Sequence, residues 1–160
     1  MTHSSRRGLA MLAATITATA VALAPMSPAL AADGDDPTWY GCDSGAQRLV
    51  TAQMPDRQLR MVDPANGAVI GYAYLIYSPT CETQWVKVNY NSGYYPQPSV
   101  WRQNQSGTNQ YISQFSPWGG TVWTYVLDGM RTQAGCGGVQ IYRGVSGGSG
   151  HVGWYYLGCA

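Results

Sequence analysis

The feature that most limits the fold of this chain is a series of short apolar runs separated by turn signals. Residues 69–77 carry apolar side chains at both alternating sets of positions, so both faces of that strand are predicted to be covered. The next run, residues 84–90, places Trp85 on one face and Val86 and Val88 on the other. This period of two predicts strands rather than helices.

Further strands are predicted along the rest of the chain, at residues 59–62, 99–103, 110–115, 121–127, 139–142 and 152–157. Residues 99–103 and 110–115 flank a polar loop and are predicted to form a hairpin. An Asn-Gly turn at residues 64–67 precedes the strand at residues 69–77. About seven or eight short antiparallel strands predict an all-β domain, a compact sandwich or barrel.

The N-terminus has the three parts of a secretory signal. Arg6 and Arg7 end a polar start, an uncharged run follows, and Ala29-Leu30-Ala31 gives the small-x-small pattern of a cleavage site. A membrane anchor would need about 20 strongly apolar residues, and this run is diluted by Thr and Ala. We therefore predict a signal peptide at residues 1–31, with export by either the general or the twin-arginine route.

The rest of the chain is predicted to be a short N-terminal arm, residues 32–41, and one β domain, residues 42–160. The full chain has a formal net charge of +1, and loss of Arg6 and Arg7 leaves the mature part nearly neutral. It has no basic run or acidic tail, so nucleic-acid binding has no support. We predict a secreted, extracellular protein without membrane contact after cleavage.

All four cysteines lie in the predicted mature part, at Cys42, Cys81, Cys136 and Cys159. An even number in an exported chain predicts two disulfides, whereas a zinc site would need close pairs such as C-x-x-C. Loop entropy leaves three pairings open, since each loop would contribute about 3–5 kcal/mol. The last two predicted strands end near Cys136 and Cys159 and would bring that pair together.

Residues suited to catalysis are few. His151 lies in a glycine-rich segment without an acid near it in sequence, and no serine stands in a nucleophile elbow. Asp33, Asp35 and Asp36 form an acidic group, but not at the spacing of an EF-hand loop. We predict a protein that is not an enzyme, with no catalytic residue, cofactor or metal.

The aromatic residues are unusual in kind. The sequence has 6 Trp and 12 Tyr but a single Phe, and Tyr and Trp combine apolar area with a polar group that suits contact surfaces. Trp39 and Tyr40 precede Cys42, and Tyr94, Tyr95 and Trp101 lie near the turn at residues 91–93. These side chains predict a binding module, unless they fill the ends of a small barrel.

Three motifs carry a resemblance to a known family. They are D-P-x-x-x-G-C from Asp36, N-G-x-x-x-G from Asn66 and Y-S-x-x-C-x-T-x-W-x-x-V from Tyr77. Together they resemble the YjfA-like family, a group of small secreted bacterial domains of unknown function. The resemblance implies a compact β domain in which Cys42 and Cys81 are partners, which leaves Cys136 for Cys159.

Some proteins that resemble this family are the small adaptor subunit of umbrella toxin particles, which are secreted antibacterial assemblies. The resemblance implies an adaptor that joins a secreted lectin subunit to a large, repeat-containing toxin subunit. We expect residues 33–40 to be an extended peptide that docks into a partner, through Asp35, Asp36, Trp39 and Tyr40. The alternatives are an independent carbohydrate-binding module and a secreted protease inhibitor that presents residues 79–82.

Overall fold

The structure, a computed structural model, describes residues 31–104, 119–144 and 150–160. These residues form two antiparallel sheets and contain no helix, which confirms the all-β prediction. The predicted signal peptide (but for Ala31) and the predicted strand at residues 110–115 lie outside the described residues. The eight strands of the described part are β1 (Gln47–Arg48), β2 (Leu59–Val62), β3 (Val69–Ser78), β4 (Thr83–Asn91), β5 (Tyr94–Arg102), β6 (Gly119–Trp123), β7 (Gly135–Arg143) and β8 (His151–Cys159).

The first sheet has five strands, in the order β1-β3-β4-β6 with β2 also paired to β3. Its two central strands, β3 and β4, pair in antiparallel register from Gly71 opposite Tyr90 to Ser78 opposite Thr83. As the alternation predicts, both faces are covered: Leu75 belongs to the core between the sheets, whereas Ile76 belongs to a second apolar cluster on the outer face.

The second sheet has the order β5-β7-β8 and packs its inner face against the first. A Cβ atom at Gly137 of β7 would lie 2.7 Å from Val86 Cγ2 of β4, so the backbone of the second sheet approaches the first closely here. The two sheets therefore form a sandwich whose outer faces point in opposite directions. The buried side chains of the second sheet in this core are Val100, Val139, Ile141 and Leu157.

Both predicted disulfides are confirmed. Cys136 and Cys159 are opposite each other in the β7–β8 register, as the strand pattern predicts. Cys42 joins Cys81, which lies in the turn between β3 and β4, and so fixes the chain that follows the N-terminal arm to the first sheet. The described residues contain no free cysteine.

The second sheet begins earlier than predicted. The strand predicted at residues 99–103 is the end of β5, which starts at Tyr94 and includes Pro96 and Pro98. Prolines disfavour the interior of a sheet, but among the described residues β5 is at the edge of its sheet, where every second N–H of a strand points away from the sheet. In the described residues β5 pairs with β7, and the second strand of the predicted hairpin lies outside these residues.

The strand predicted at residues 121–127 is shorter than expected, because Thr124 interrupts it. The Thr124 hydroxyl, not a backbone carbonyl, accepts a hydrogen bond from Val86 N–H at 3.1 Å. Beyond this point Val126 N–H donates to the carbonyl of Asp35 at 3.0 Å, and Leu127 forms an isolated bridge with Gln84. The chain thus departs from the regular ladder over residues 124–126, where Val126 bonds to the N-terminal arm, and pairs with β4 again at Leu127.

The N-terminal arm is turn-rich and folded onto the domain, which differs from the extended peptide expected from the sequence. Asp33 accepts two hydrogen bonds from the Arg102 guanidinium, at 2.7 and 2.8 Å, and one from Asp128 N–H at 2.7 Å. Burial raises the pKa of Asp33, but these donors outweigh it and hold the pKa below its usual range. The ion pair and the backbone bonds to Val126 explain why the arm is folded.

Candidate binding surfaces

Three aromatic side chains form a platform on the outer face of the second sheet: Trp101 of β5 with Trp154 and Tyr156 of β8. The ring centroid of Trp101 lies 6.2 Å from that of Trp154 and 6.1 Å from that of Tyr156. The ring plane of Trp101 is tilted by 32° from that of Trp154 and stacks at 22° on that of Tyr156. Trp154 is 47% exposed and Tyr156 39% exposed. We call these three residues the aromatic platform.

A glycine allows the platform to form across β7. A Cβ atom at Gly138 would lie 2.2 Å from Cζ2 of Trp154, so the indole occupies the space where any other residue has its side chain. The Tyr156 hydroxyl and the Cys159 sulfur are 3.0 Å apart, which places the Cys136–Cys159 disulfide beside the platform. The two adjacent glycines thus allow close packing on both faces of the sheet. Gly137 lets core side chains approach the backbone, and Gly138 lets Trp154 do so on the outer face.

The face around the platform carries no lysine, arginine or carboxylate at the outward-facing positions that the structure describes on these strands. Alternation along β5, β7 and β8 identifies these positions, since Val100, Val139 and Leu157 point into the core. Aromatic and neutral polar side chains at a site without charges are typical of the centre of a protein interface. The other outward-facing side chains are Tyr95, Gln97, Ser99, Gln140, Tyr142 and His151.

We expect Gly138→Ala to displace Trp154, because the added methyl group would collide with the indole. The near-UV circular dichroism of the paired rings should fall, and the free energy of unfolding should decrease by about 1–3 kcal/mol. Gly153→Ala is the matched control in the neighbouring strand, since its Cβ would meet the ring of Tyr155 at 3.6 Å, an ordinary contact. Indistinguishable spectra for the two variants would contradict the proposed packing of Trp154.

A second surface lies on the outer face of the first sheet, and we call it the cationic face. It is defined by Arg48 of β1, Arg60 of β2 and Lys87 of β4, which are all exposed. Register places Arg48 opposite Ile76 and Lys87 opposite Trp123, on the face away from the core. In the described parts of the chain none of the three cations has an ion pair.

A cleft of about 210 Å³ opens on the cationic face beside the N-terminal arm. Its floor contains Ile76 and Trp85, both nearly fully buried. Arg48 and Lys87 line it from the sheet, and Asp43 lies on the side of the arm. The Arg48 guanidinium carbon is 4.1 Å from the centroid of the Tyr74 ring, a cation–π contact that orients the side chain.

No family model, curated protein or solved structure matches this chain. The resemblance to the YjfA-like family therefore stays a prediction from the three motifs. The two surfaces have to be interpreted from their own chemistry.

The four arm residues predicted to bind a partner fall into two groups. Asp35 accepts a hydrogen bond from Ala32 N–H at 2.8 Å, and buried Asp36 accepts from Thr38 and from the Trp123 indole N–H. These carboxylates serve the fold of the arm itself. Trp39 and Tyr40 are 67% and 51% exposed, so their side chains are accessible for contact.

The sequence analysis predicted neither the aromatic platform nor the cationic face. It singled out Trp101 but not Trp154 and Tyr156, although their separation by one residue places them on the same face of a strand. The Gly137-Gly138 pair beside Cys136 was a further signal of close packing. The cationic face is not visible in the sequence, because its three cations come from strands that are distant along the chain.

The other side chains considered for catalysis or inhibition either contact a neighbouring side chain or are not grouped with other reactive residues. His151 is exposed, with its ring 5.4 Å from that of Tyr142. In the loop considered for protease inhibition, Pro79 and Thr80 are exposed, but Glu82 is paired with Arg131 at 3.2 Å.

The described residues contain no group of three His, Cys, Asp or Glu that could hold a metal ion. They also contain no helix of the length and hydropathy needed to cross a membrane.

Proposed function

We propose that this protein is a secreted, non-enzymatic adaptor that binds two other proteins at once. The observation that supports this is the presence of two chemically different exposed surfaces on opposite outer faces of one sandwich. The aromatic platform is neutral, whereas the cationic face carries Arg48, Arg60 and Lys87. Partners bound to opposite faces do not compete for space.

Each surface has features of a protein interface. Trp and Tyr are enriched among the residues that dominate binding energy, and the platform places two of them, Trp154 and Tyr156, within about 6 Å of a third, Trp101. The cationic face supplies charge that attracts and orients a partner. Two disulfides make the scaffold rigid and are compatible with an extracellular location.

The resemblance to the YjfA-like family suggests the identity of the partners. They would be a secreted lectin subunit and a large, repeat-containing antibacterial toxin subunit, joined by this chain in an umbrella toxin particle. Trp39 and Tyr40 are exposed and follow Pro37 and Thr38, which line the cleft. This would give the N-terminal arm a role in partner binding while it stays folded on the domain.

An independent carbohydrate-binding module is the second candidate, and the platform is the observation that favours it. Aromatic rings stack on the apolar face of a sugar, and the nearby Gln97 and Gln140 could bond to its hydroxyl groups. This candidate predicts retention of the protein on an insoluble polysaccharide such as chitin or cellulose and loss of retention in Trp154→Ala. It leaves the cationic face without a function.

A gentle pull-down of the tagged mature protein from culture supernatant, followed by mass spectrometry, tests the adaptor proposal. We expect two further secreted proteins to co-purify, a lectin and a large repeat-containing chain. Recovery of the protein alone, together with retention on a polysaccharide, would overturn the proposal and favour the carbohydrate-binding module.

A further inference from the structure

We propose that the cationic face binds an acidic peptide segment of a protein partner, which inserts one apolar side chain into the cleft between Arg48 and Lys87. This inference rests on the proposed adaptor function and assigns a chemical class to one of the two partners. It concerns the outer face of the first sheet only.

The distribution of ion pairs sets this face apart. On other parts of the described surface Arg102 is paired with Asp33 and Asp128, Arg131 with Glu82, and Arg143 with Asp63. The three cations of the cationic face have no such partner in the described residues, and they share one side of one sheet. Arg57, in the turn before β2, also has no ion pair in the described residues, but it stands apart, whereas the three cations grouped on one face form a positive surface to which carboxylates are complementary.

The lining of the cleft indicates that the ligand needs an apolar group in addition to negative charge. Its floor of Ile76 and Trp85 is buried, and the half-buried ring of Trp123 forms a side wall. A ligand that fills it must therefore bring apolar atoms to the floor and negative charge to the rim. An acidic peptide with an aliphatic or aromatic residue meets both conditions, whereas a chain of acidic sugars has no apolar side chain to insert.

The size of the cleft also favours a single side chain. Its volume of about 210 Å³ is smaller than that of a typical small-molecule site, roughly 300–1,000 Å³. Arg48 and Lys87 line the cleft, and Arg60, opposite Tyr72, lies on the same face of the sheet without lining it. An extended segment that crosses the strands could place carboxylates near more than one of them.

The test measures binding of a labelled synthetic peptide of alternating glutamate and leucine to the mature protein by fluorescence anisotropy at low salt. The same peptide with glutamine at each glutamate position is the control ligand, and soluble polygalacturonate is the control for an anionic polysaccharide. We expect the glutamate peptide to bind, the glutamine peptide to bind at least about tenfold more weakly, and binding to weaken with added salt.

Three variants connect this binding to the cleft. Arg48→Gln and Lys87→Gln should each weaken binding of the glutamate peptide by about tenfold. Asp43→Asn should strengthen it, because it removes the carboxylate on the arm side of the cleft and leaves the backbone bonds of residue 43 in place. Opposite effects from variants on two walls of one cleft exclude a general loss of folding as the cause.

Equal binding of both peptides, no binding of the glutamate peptide, or unchanged affinity in the Gln and Asn variants would overturn the inference. Binding of polygalacturonate without binding of the peptide would also overturn it and make an anionic glycan the ligand. Each of these results leaves the adaptor proposal intact if two proteins still co-purify from the supernatant, so the two proposals can fail separately.

Discussion

Trp101→Ala and Trp154→Ala should each abolish capture of one partner and leave capture of the other unchanged. Each substitution removes a large ring from the aromatic platform, and truncation of such residues in an interface commonly costs at least about 2 kcal/mol, or about 30-fold in affinity. The platform lies on the second sheet, so the cationic face on the opposite side should not be affected. Quantitative mass spectrometry of pull-downs with each variant measures both partners together.

Val50→Ala is the matched control for these substitutions. Val50 is 53% exposed and lies outside both surfaces, so its truncation removes exposed apolar area without altering the platform. Unfolding in urea shows whether the tryptophan variants keep the fold. If folded tryptophan variants retained both partners at the level of the control, the platform would not be a binding surface.

Removal of the Cys42–Cys81 disulfide should strongly destabilise the domain. The bond closes a separation of 39 residues, and loss of such a disulfide from a small secreted domain costs about 2–5 kcal/mol. Cys42 also lies in the apolar cluster beneath the arm with Trp85 and Val126. The double variant Cys42→Ala/Cys81→Ala should therefore unfold at lower urea concentration and lose acidic-peptide binding.

The second disulfide supplies the comparison. Cys136→Ala/Cys159→Ala opens a separation of 23 residues beside the aromatic platform, so it should destabilise the domain by a similar amount. At low denaturant it should keep acidic-peptide binding and lose the platform partner instead. Loss of the same partner from both double variants would show that the disulfides act only through global stability.

The sequence was sufficient for the strands whose period of two is undisturbed. The alternation predicted the bounds of β3 and β4 to within one residue, and the apolar residues at both alternating sets of positions predicted the two covered faces of β3. It was less informative where a single side chain alters the pairing. Thr124 ends β6 with its hydroxyl, and Pro96 and Pro98 conceal the first half of β5.

The candidate surfaces were harder to predict because each combines residues from distant parts of the chain. Trp101 and Trp154 meet only because β7 lies between their strands and carries a glycine at position 138. The N-terminal arm was expected to be extended, since its sequence does not show that Asp33 meets Arg102 after folding. Pairings of this kind depend on sheet order, which alternation along one strand does not specify.

The most direct test of the adaptor account is whether this protein is needed to hold its two partners together. In a strain that lacks it, capture of the tagged lectin subunit from culture supernatant should no longer recover the large repeat-containing chain. Added wild-type protein should restore recovery, and added Trp154→Ala or Lys87→Gln protein should not. If the two partners co-purified equally well without this protein, the account would be contradicted.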